Sequence, residues 1–284
     1  MKVGFIGLGA MGTGMANNLA NAGLLTAVYN RTESKAHNLS AKLNVAVCTS
    51  SQQLGKQADV IMICVSADKD VLEMVSAVAD TVSPGAVVID TSTVSNETAK
   101  EAAAILSKKQ AAFLDAPVSG GVEGAKNASL AMMVGGNKEA LDSVRPVLGA
   151  ISSRIVHMGE TGSGQTTKAV NQIMAAGINQ AVTEALAFGQ VQGLAMDKVI
   201  EAVSGGAAGN WFLKHRGAGM TNGLFEPGFK LSLHHKDLII CQHMAQHTKA
   251  SIDLAAKTVS DYKRLMDQGF GDEDISALYR LKLK

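Results

Sequence analysis

Cysteine is scarce in this 284-residue chain, with Cys48, Cys64 and Cys241 making up the full set. They fall at no metal-ligand spacing, and so odd and sparse a set suits a reducing compartment better than a disulfide framework. Cys64 sits in the apolar run Val60–Val65 and reads as a small buried hydrophobe. An excess of charge is missing too: 26 basic residues face 25 acidic ones, a formal charge of +1, with no basic stripe for nucleic acid or an anionic membrane. No apolar run reaches the ~20 residues of a membrane span. The closest, Ile173 to Val191, is interrupted by Asn179, Gln180, Glu184 and Gln190. No basic segment leads into an apolar signal core at the start of the chain. These absences predict a cytoplasmic protein with neither nucleic acid nor membrane as partner.

What is present is an apolar chain, 46% hydrophobic and 18% charged, able to bury a sizeable core. In its first half short apolar runs read as strands: Lys2–Ile6, Thr26–Tyr29, Val60–Val65, Ala86–Asp90, Ala112–Asp115, Leu130–Val134 and Ile155–Met158. Between them lie helical stretches such as Met11–Ala22, Ser34–Leu43 and Asn96–Lys108. Such alternation implies βαβ units and a mostly parallel sheet. After Gly164 the pattern changes: Gln165–Gln192 reads as one long helix, apolar on more than one side and so expected to be buried over much of its circumference. The remainder, Asp197–Lys284, is also mostly helical, broken by Ser204-Gly205-Gly206 and by Gly217–Gly228.

Gly7-Leu8-Gly9-Ala10-Met11-Gly12 is G-x-G-x-x-G, placed after an apolar strand and opening a helix, at the start of a βαβ unit of about 30 residues. Gly7 permits a tight turn, Gly9 lets backbone amides approach a pyrophosphate, and Gly12 allows close helix–strand packing. The helix N-terminus then offers unpaired N–H groups to the anion. The expected fold is therefore α/β, a Rossmann-type N-terminal domain (1–163) followed by an all-α C-terminal domain (164–284) led by one long helix. At the end of the second strand, where an NAD site places an acidic residue, the chain has Asn30-Arg31-Thr32. Arg31 can pair with a 2′-phosphate, and Asn30 and Thr32 can add neutral hydrogen bonds. NADP is expected as cofactor, with NAD possible but less favoured.

Several blocks now resemble one family. Phe5–Leu19, Asp90-Thr91-Ser92-Thr93, Asp115-Ala116-Pro117-Val118-Ser119-Gly120-Gly121, Gly162–Gln172 and Lys236-Asp237-Leu238 occur in order across nearly the whole chain. Together they are similar to the 3-hydroxyisobutyrate dehydrogenases, a branch of the β-hydroxyacid dehydrogenases. Asn171-Gln172, the run Ser204–Asn210 and Pro227-Gly228-Phe229 look closest to the tartronate semialdehyde (2-hydroxy-3-oxopropionate) reductases. The C-terminal run Gly271–Ala277 is also similar to succinic semialdehyde and glyoxylate reductases.

On spacing alone Lys168 would read as an exposed lysine at a helix start. The resemblance puts it on the catalytic position, as proton donor to the alkoxide formed by hydride transfer and, when neutral, as base in the reverse direction. Burial would favour that neutral form. Asn171, three residues on, shares its face and can hydrogen-bond the reacting hydroxyl or the lysine. Gln172 departs from the second asparagine of many relatives; it keeps the amide on a longer arm. Ser119, Gly120 and Gly121 read either as an ordinary turn or as a backbone and hydroxyl cradle for a carboxylate, and the resemblance implies the latter. It also implies that Thr93 lies near the nicotinamide ribose and that Lys236 closes over the cofactor, with Asp237 orienting that region. Val65-Ser66 stands where the family usually has Leu-Pro and is expected to pack on the adenosine.

The implied activity is interconversion of a small semialdehyde carboxylate and its hydroxyacid. The competing readings are a succinic semialdehyde or glyoxylate reductase and a non-catalytic NADP-binding scaffold. An imine reductase is expected to lack the lysine, and a 6-phosphogluconate dehydrogenase to carry Lys-x-x-His-Asn. No metal is expected: His243 and His247 are four apart but lack the intervening Glu of H-E-x-x-H and a third ligand. Trp211 reads as core, or alternatively as a wall of the substrate pocket. A homodimer or homotetramer through the helical domain is expected, with the tail Tyr279–Lys284 crossing to another subunit.

Overall fold

The computed structural model describes residues 1–283, leaving Lys284 outside. The chain forms two compact units, Met1–Lys168 and Ala169–Lys284.

The first unit begins β1 (Val3–Ile6), α1 (Ala10–Asn21), β2 (Leu25–Tyr29), α2 (Glu33–Leu43), β3 (Ala46–Val47), α3 (Ser51–Gly55) and β4 (Val60–Ile63). It continues with α4 (Asp68–Ala79), β5 (Val87–Asp90), α5 (Asn96–Ser107), β6 (Ala112–Asp115), β7 (Val118–Ser119), α6 (Gly121–Lys126), β8 (Leu130–Gly136), α7 (Lys138–Gly149) and β9 (Ser152–Gly159). The sheet order is β3-β2-β1-β4-β5-β6-β8-β7, with β9 paired to β8. Strands β1 to β6 are parallel, while β8 runs antiparallel to β6 and β7. Residues alternate between the two faces. Val3, Phe5, Val60, Met62, Val87 and Ile89 enter one apolar cluster, and Ile6, Ile61, Ile63 and Val88 the other. Both faces are covered, which is why these strands are unbroken apolar runs.

The chain winds from β1 outward through β2 and β3, then returns to lay β4 on the other side of β1. That reversal opens a crevice at the carboxyl ends of β1 and β4, the place where such sheets bind ligands. Every strand expected from the sequence is found; β3 and β7, two residues each, were not expected.

Helix α8 (Ser163–Val191) follows. The second unit contains its length from Ala169, then α9 (Met196–Ser204), α10 (Trp211–Thr221), α11 (Leu231–Thr248), α12 (Asp253–Asp267) and a closing 3-10 helix, Ile275–Leu281. Leu186, Leu213, Leu238, Tyr262, Leu265 and Leu278 share its core. Asp274, buried, accepts from the backbone N–H groups of Gly228 and Phe229 and from Arg216, pinning the loop before α11. Arg280 lies over the rings of Phe225 and Phe270, 4.4 and 4.3 Å from their centroids, and pairs with Glu273 through two nitrogens.

Two expectations are corrected. The described part of the tail, 279–283, is held by its own chain: Tyr279 is buried and its hydroxyl donates to Gln190, while Lys282 Nζ donates to Gln180 Oε1 at 2.6 Å. Leu278 and Tyr279 join the apolar core of the same unit; the final residue of that tail, Lys284, lies outside the described residues. Trp211 is not core but 62% exposed, its ring stacked on His215, four residues along α10, at 4.3 Å. Helix α8 is buried over much of its circumference, as expected, but Val170, Met174 and Ile178, spaced by four, stay 51%, 63% and 39% exposed.

Candidate cofactor and catalytic site

The turn after β1 has the shape its glycines predict. Gly7 takes φ +97°, and a Cβ there would stand 2.1 Å from the Cys64 carbonyl oxygen. A Cβ on Gly12 would stand 1.9 Å from the Gly7 carbonyl oxygen. Both are backbone collisions that no side-chain movement relieves. Gly9 differs: a Cβ would meet nothing within 4 Å, so its bareness serves no packing and leaves the start of α1 open. That opening fits a pyrophosphate approaching the free amides around Ala10 and Met11. Leu8 and Met11 send their side chains into the core, so they face a ligand with backbone.

Asn30 does more than was expected of it. Its Oδ1 accepts from Leu8 N–H at 2.8 Å and its Nδ2 donates to the Thr32 carbonyl at 3.0 Å, tying the glycine turn to the end of β2. Arg31 is 84% exposed and pairs loosely with Asp70 of α4, Nη1 to Oδ1 3.4 Å. An ion pair so exposed holds its arginine weakly, leaving the guanidinium available to an anion. Thr32 caps α2 by position without a side-chain hydrogen bond. Lys35 was missed: with Asn38, Leu39 and Lys42 it lines a cleft of about 450 Å³ beside Leu8, Gly9, Ala10 and Thr13. The signal was present as a stripe of helical spacing, 35, 38, 39 and 42, facing the glycine turn.

On the far side of the crevice, Val65 N–H donates to Ser92 Oγ at 2.9 Å, and Thr91 Oγ1 donates to the Ile63 carbonyl at 2.8 Å. These bonds fasten the segment containing Ser66 to the one containing the partly exposed Thr93. Asp68, at the start of α4, accepts from Ser95 N–H and Thr98 Oγ1 at 2.9 and 2.7 Å. Burial raises its carboxyl, but those hydrogen bonds outweigh it and hold the group below the ordinary carboxylate range. Burial drives the Cys64 thiol up to about 11, so it stays protonated and inert near neutral pH.

The start of α8 is held by two residues the sequence did not single out as site residues. Asp115, fully buried at the end of β6, accepts from Gly162 N–H at 2.8 Å and Gln165 N–H at 2.9 Å. Burial raises its carboxyl, and those backbone N–H groups oppose the rise in part. Gln165, 1% exposed, donates Nε2 to the Ser92 carbonyl at 2.9 Å and accepts from Val94 N–H at 3.2 Å. One turn on, Lys168 is 7% exposed, and its Nζ donates to the Val118 carbonyl at 2.9 Å. Val118 is in β7, and Ser119, Gly120 and Gly121 follow it directly, Gly120 at φ +135° and Gly121 at φ +61°. The lysine expected on general grounds to be exposed is thus buried against the small-residue turn.

The second unit carries the other amides. Asn171 Nδ2 donates to Gln172 Oε1 at 2.8 Å, and Gln172 Nε2 to Asp237 Oδ2 at 2.6 Å. Lys236 Nζ pairs with Asp237 Oδ1 at 2.9 Å. Beneath them the buried His234 lies between the Gln172 carbonyl and the Tyr262 hydroxyl, at 3.2 and 3.1 Å. His243 and His247 lie along α11 with no third ligand beside them: among the described residues no cluster of His, Cys, Asp and Glu could hold a metal. Among the described residues no helix is long and apolar enough to cross a membrane.

A glycine turn opening on a helix start at the switch point of a parallel sheet, followed by a helical unit, defines a nicotinamide-dependent oxidoreductase class. The comparisons narrow it. Residues 2–159 match the NAD binding domain of 6-phosphogluconate dehydrogenase, and residues 162–282 match the NAD-binding region of NADP-dependent 3-hydroxyisobutyrate dehydrogenase. The chain belongs to the 3-hydroxyisobutyrate dehydrogenase family of β-hydroxyacid dehydrogenases. It is 33% identical to the 2-hydroxy-3-oxopropionate reductase of Escherichia coli, over 98% of this chain and 96% of that one. It is 32% identical to an NAD-dependent L-serine dehydrogenase of Pseudomonas aeruginosa, over 99% and 97%. Among solved structures it is similar to a 3-hydroxyisobutyrate dehydrogenase of Mycobacterium tuberculosis with L-serine, TM-score 0.90 and 30% identity, over 99% and 98%.

Proposed function

We propose that the protein is an NADP-dependent semialdehyde reductase, interconverting a small semialdehyde carboxylate and its hydroxyacid, with tartronate semialdehyde as the first substrate to try. The observation that carries this reading is the burial of Lys168 against the short strand that leads into the Ser119-Gly120-Gly121 turn. A bound nicotinamide supplies the hydride. The chain holds the substrate and delivers the proton: the Ser119 hydroxyl and the amides of Gly120 and Gly121 hold the carboxylate, and the Lys168 ammonium protonates the carbonyl oxygen as the C=O bond is reduced, becoming a neutral amine. Asn171, one turn along the same helix, orients the reacting oxygen. Thr93 attends the nicotinamide side, and Val65 and Ser66 the adenosine.

NADP is preferred because Arg31, exposed and weakly held, stands where an NAD site keeps a carboxylate, and Lys35 adds a second cation. The Pseudomonas relative named as NAD-dependent makes this the part most in need of a test. Arg31→Ala is expected to weaken NADPH by about tenfold or more while changing NADH by less than about twofold, as judged by titration of cofactor fluorescence. A uniform loss for both cofactors would remove the 2′-phosphate role.

The uncovered stripe Val170, Met174 and Ile178 supports a homodimer or homotetramer through the helical unit, its occupant a second copy of this chain. Gel filtration in the micromolar range is expected to give a dimer or tetramer, and a monomer throughout would refute it.

A further inference from the structure

Three side chains of the helical unit form a chain of hydrogen bonds whose polarity is set at one end. Asp237, as a carboxylate, can only accept. Its Oδ1 takes the Lys236 ammonium at 2.9 Å, and its Oδ2 takes Gln172 Nε2 at 2.6 Å. With its NH₂ group committed to Asp237, Gln172 turns its carbonyl to Asn171, which donates Nδ2 to it at 2.8 Å. The amide of Asn171 therefore keeps its NH₂ toward Gln172 and its carbonyl oxygen away from it. Gln172 is 2% exposed and Asp237 4%, so water does not compete for these bonds.

We infer that Gln172, oriented by Asp237, is a positioning residue that selects which end of the Asn171 amide meets the reactants, and that the selected end is the acceptor oxygen. The inference rests on the proposed hydride-transfer reading. It gives Asn171 a definite role, because an acceptor receives a hydroxyl or an ammonium and not a bare carbonyl oxygen. Asn171 thus orients the Lys168 ammonium or the product hydroxyl, and polarising the substrate carbonyl falls to Lys168. The length of the Gln172 arm is part of the device. An asparagine there would be shorter by one methylene, roughly 1.5 Å, enough to open the contact with Asp237 beyond hydrogen-bond range.

Asp237→Asn tests the chain with almost no change of shape. Lys236 needs an acceptor and claims the new carbonyl oxygen, which leaves the new NH₂ facing Gln172. Both amides downstream must then turn over, presenting the Asn171 NH₂ to the reactants. With NADPH and whichever semialdehyde the wild type reduces, kcat is expected to fall roughly tenfold, with a smaller change in substrate KM. In an Asn171→Ala background the same substitution is expected to change kcat by less than about twofold, because there is no amide left to orient. Gln172→Asn, which keeps an amide but cannot span to Asp237, is expected to show the same split between backgrounds. Equal losses in both backgrounds would mark Asp237 and Gln172 as scaffold and overturn the inference, as would wild-type kcat in Asp237→Asn. Either result leaves the role of Lys168 standing; that role falls separately, if Lys168→Ala reduces the semialdehyde at the wild-type rate.

Discussion

Lys168→Ala is expected to cut turnover roughly 100-fold or more while leaving NADPH binding within about twofold. The separation follows from where the side chain sits. Its Nζ bonds to the Val118 carbonyl beside the Ser119-Gly120-Gly121 turn, whereas the glycine turn and Arg31 lie at the ends of β1 and β2. Removing the ammonium takes the proton source from the developing alkoxide and leaves the phosphate cradle whole. Lys168→Arg is expected to rescue little, since a guanidinium stays protonated and is too bulky for a site 7% exposed. Stopped-flow turnover together with cofactor titration separates the two quantities. Equal losses in cofactor affinity and rate would count against the acid role.

The second large effect is expected at Gly164, four residues before Lys168 in the Gly162–Gln172 block. A Cβ there would stand 2.4 Å from the Asp115 carbonyl oxygen and 2.5 Å from that of Met133, both backbone. Neither can retreat alone, because Asp115 also holds Gly162 and Gln165 at the start of α8. Gly164→Ala is expected to cost about 3 kcal/mol or more of stability in urea unfolding. In whatever fraction folds, turnover should fall, because Lys168 rides one turn further along the displaced helix. Gly9→Ala makes the contrast: with no neighbour within 4 Å it should keep wild-type stability and lose cofactor affinity. If Gly164→Ala unfolds at the wild-type urea midpoint, the close-packed junction is not what holds α8.

Much of the α/β unit was legible because its strands are covered on both faces, which makes Val60–Ile63 and residues 87–89 unbroken apolar runs. Strands β3 and β7 were not, since two residues carry no period. The glycine turn was legible because each glycine answers a separate geometric demand. Asp115 and Gln165 lay inside recognisable motifs, yet what they hold was hidden. Their partners are 47, 50, 71 and 73 positions away, a relation that only the folded sheet creates. Trp211 was misread because an aromatic is usually buried; here stacking on His215 and the nearby Arg216 guanidinium gives the ring partners at the surface. That α8 is buried over much of its circumference was legible from apolar residues on several of its sides; which stripe stays open was not. One chain covers only part of that surface.

The most direct test of the central claim follows oxidation of NADPH with glyoxylate, tartronate semialdehyde, methylmalonate semialdehyde and succinic semialdehyde, repeated with NADH and with the Lys168→Ala enzyme. Fast reduction of one semialdehyde, stronger with NADPH and lost in Lys168→Ala, is the expected result. No turnover of any of the four despite tight NADPH binding would contradict it and point to a cofactor-binding scaffold or an unrelated substrate class.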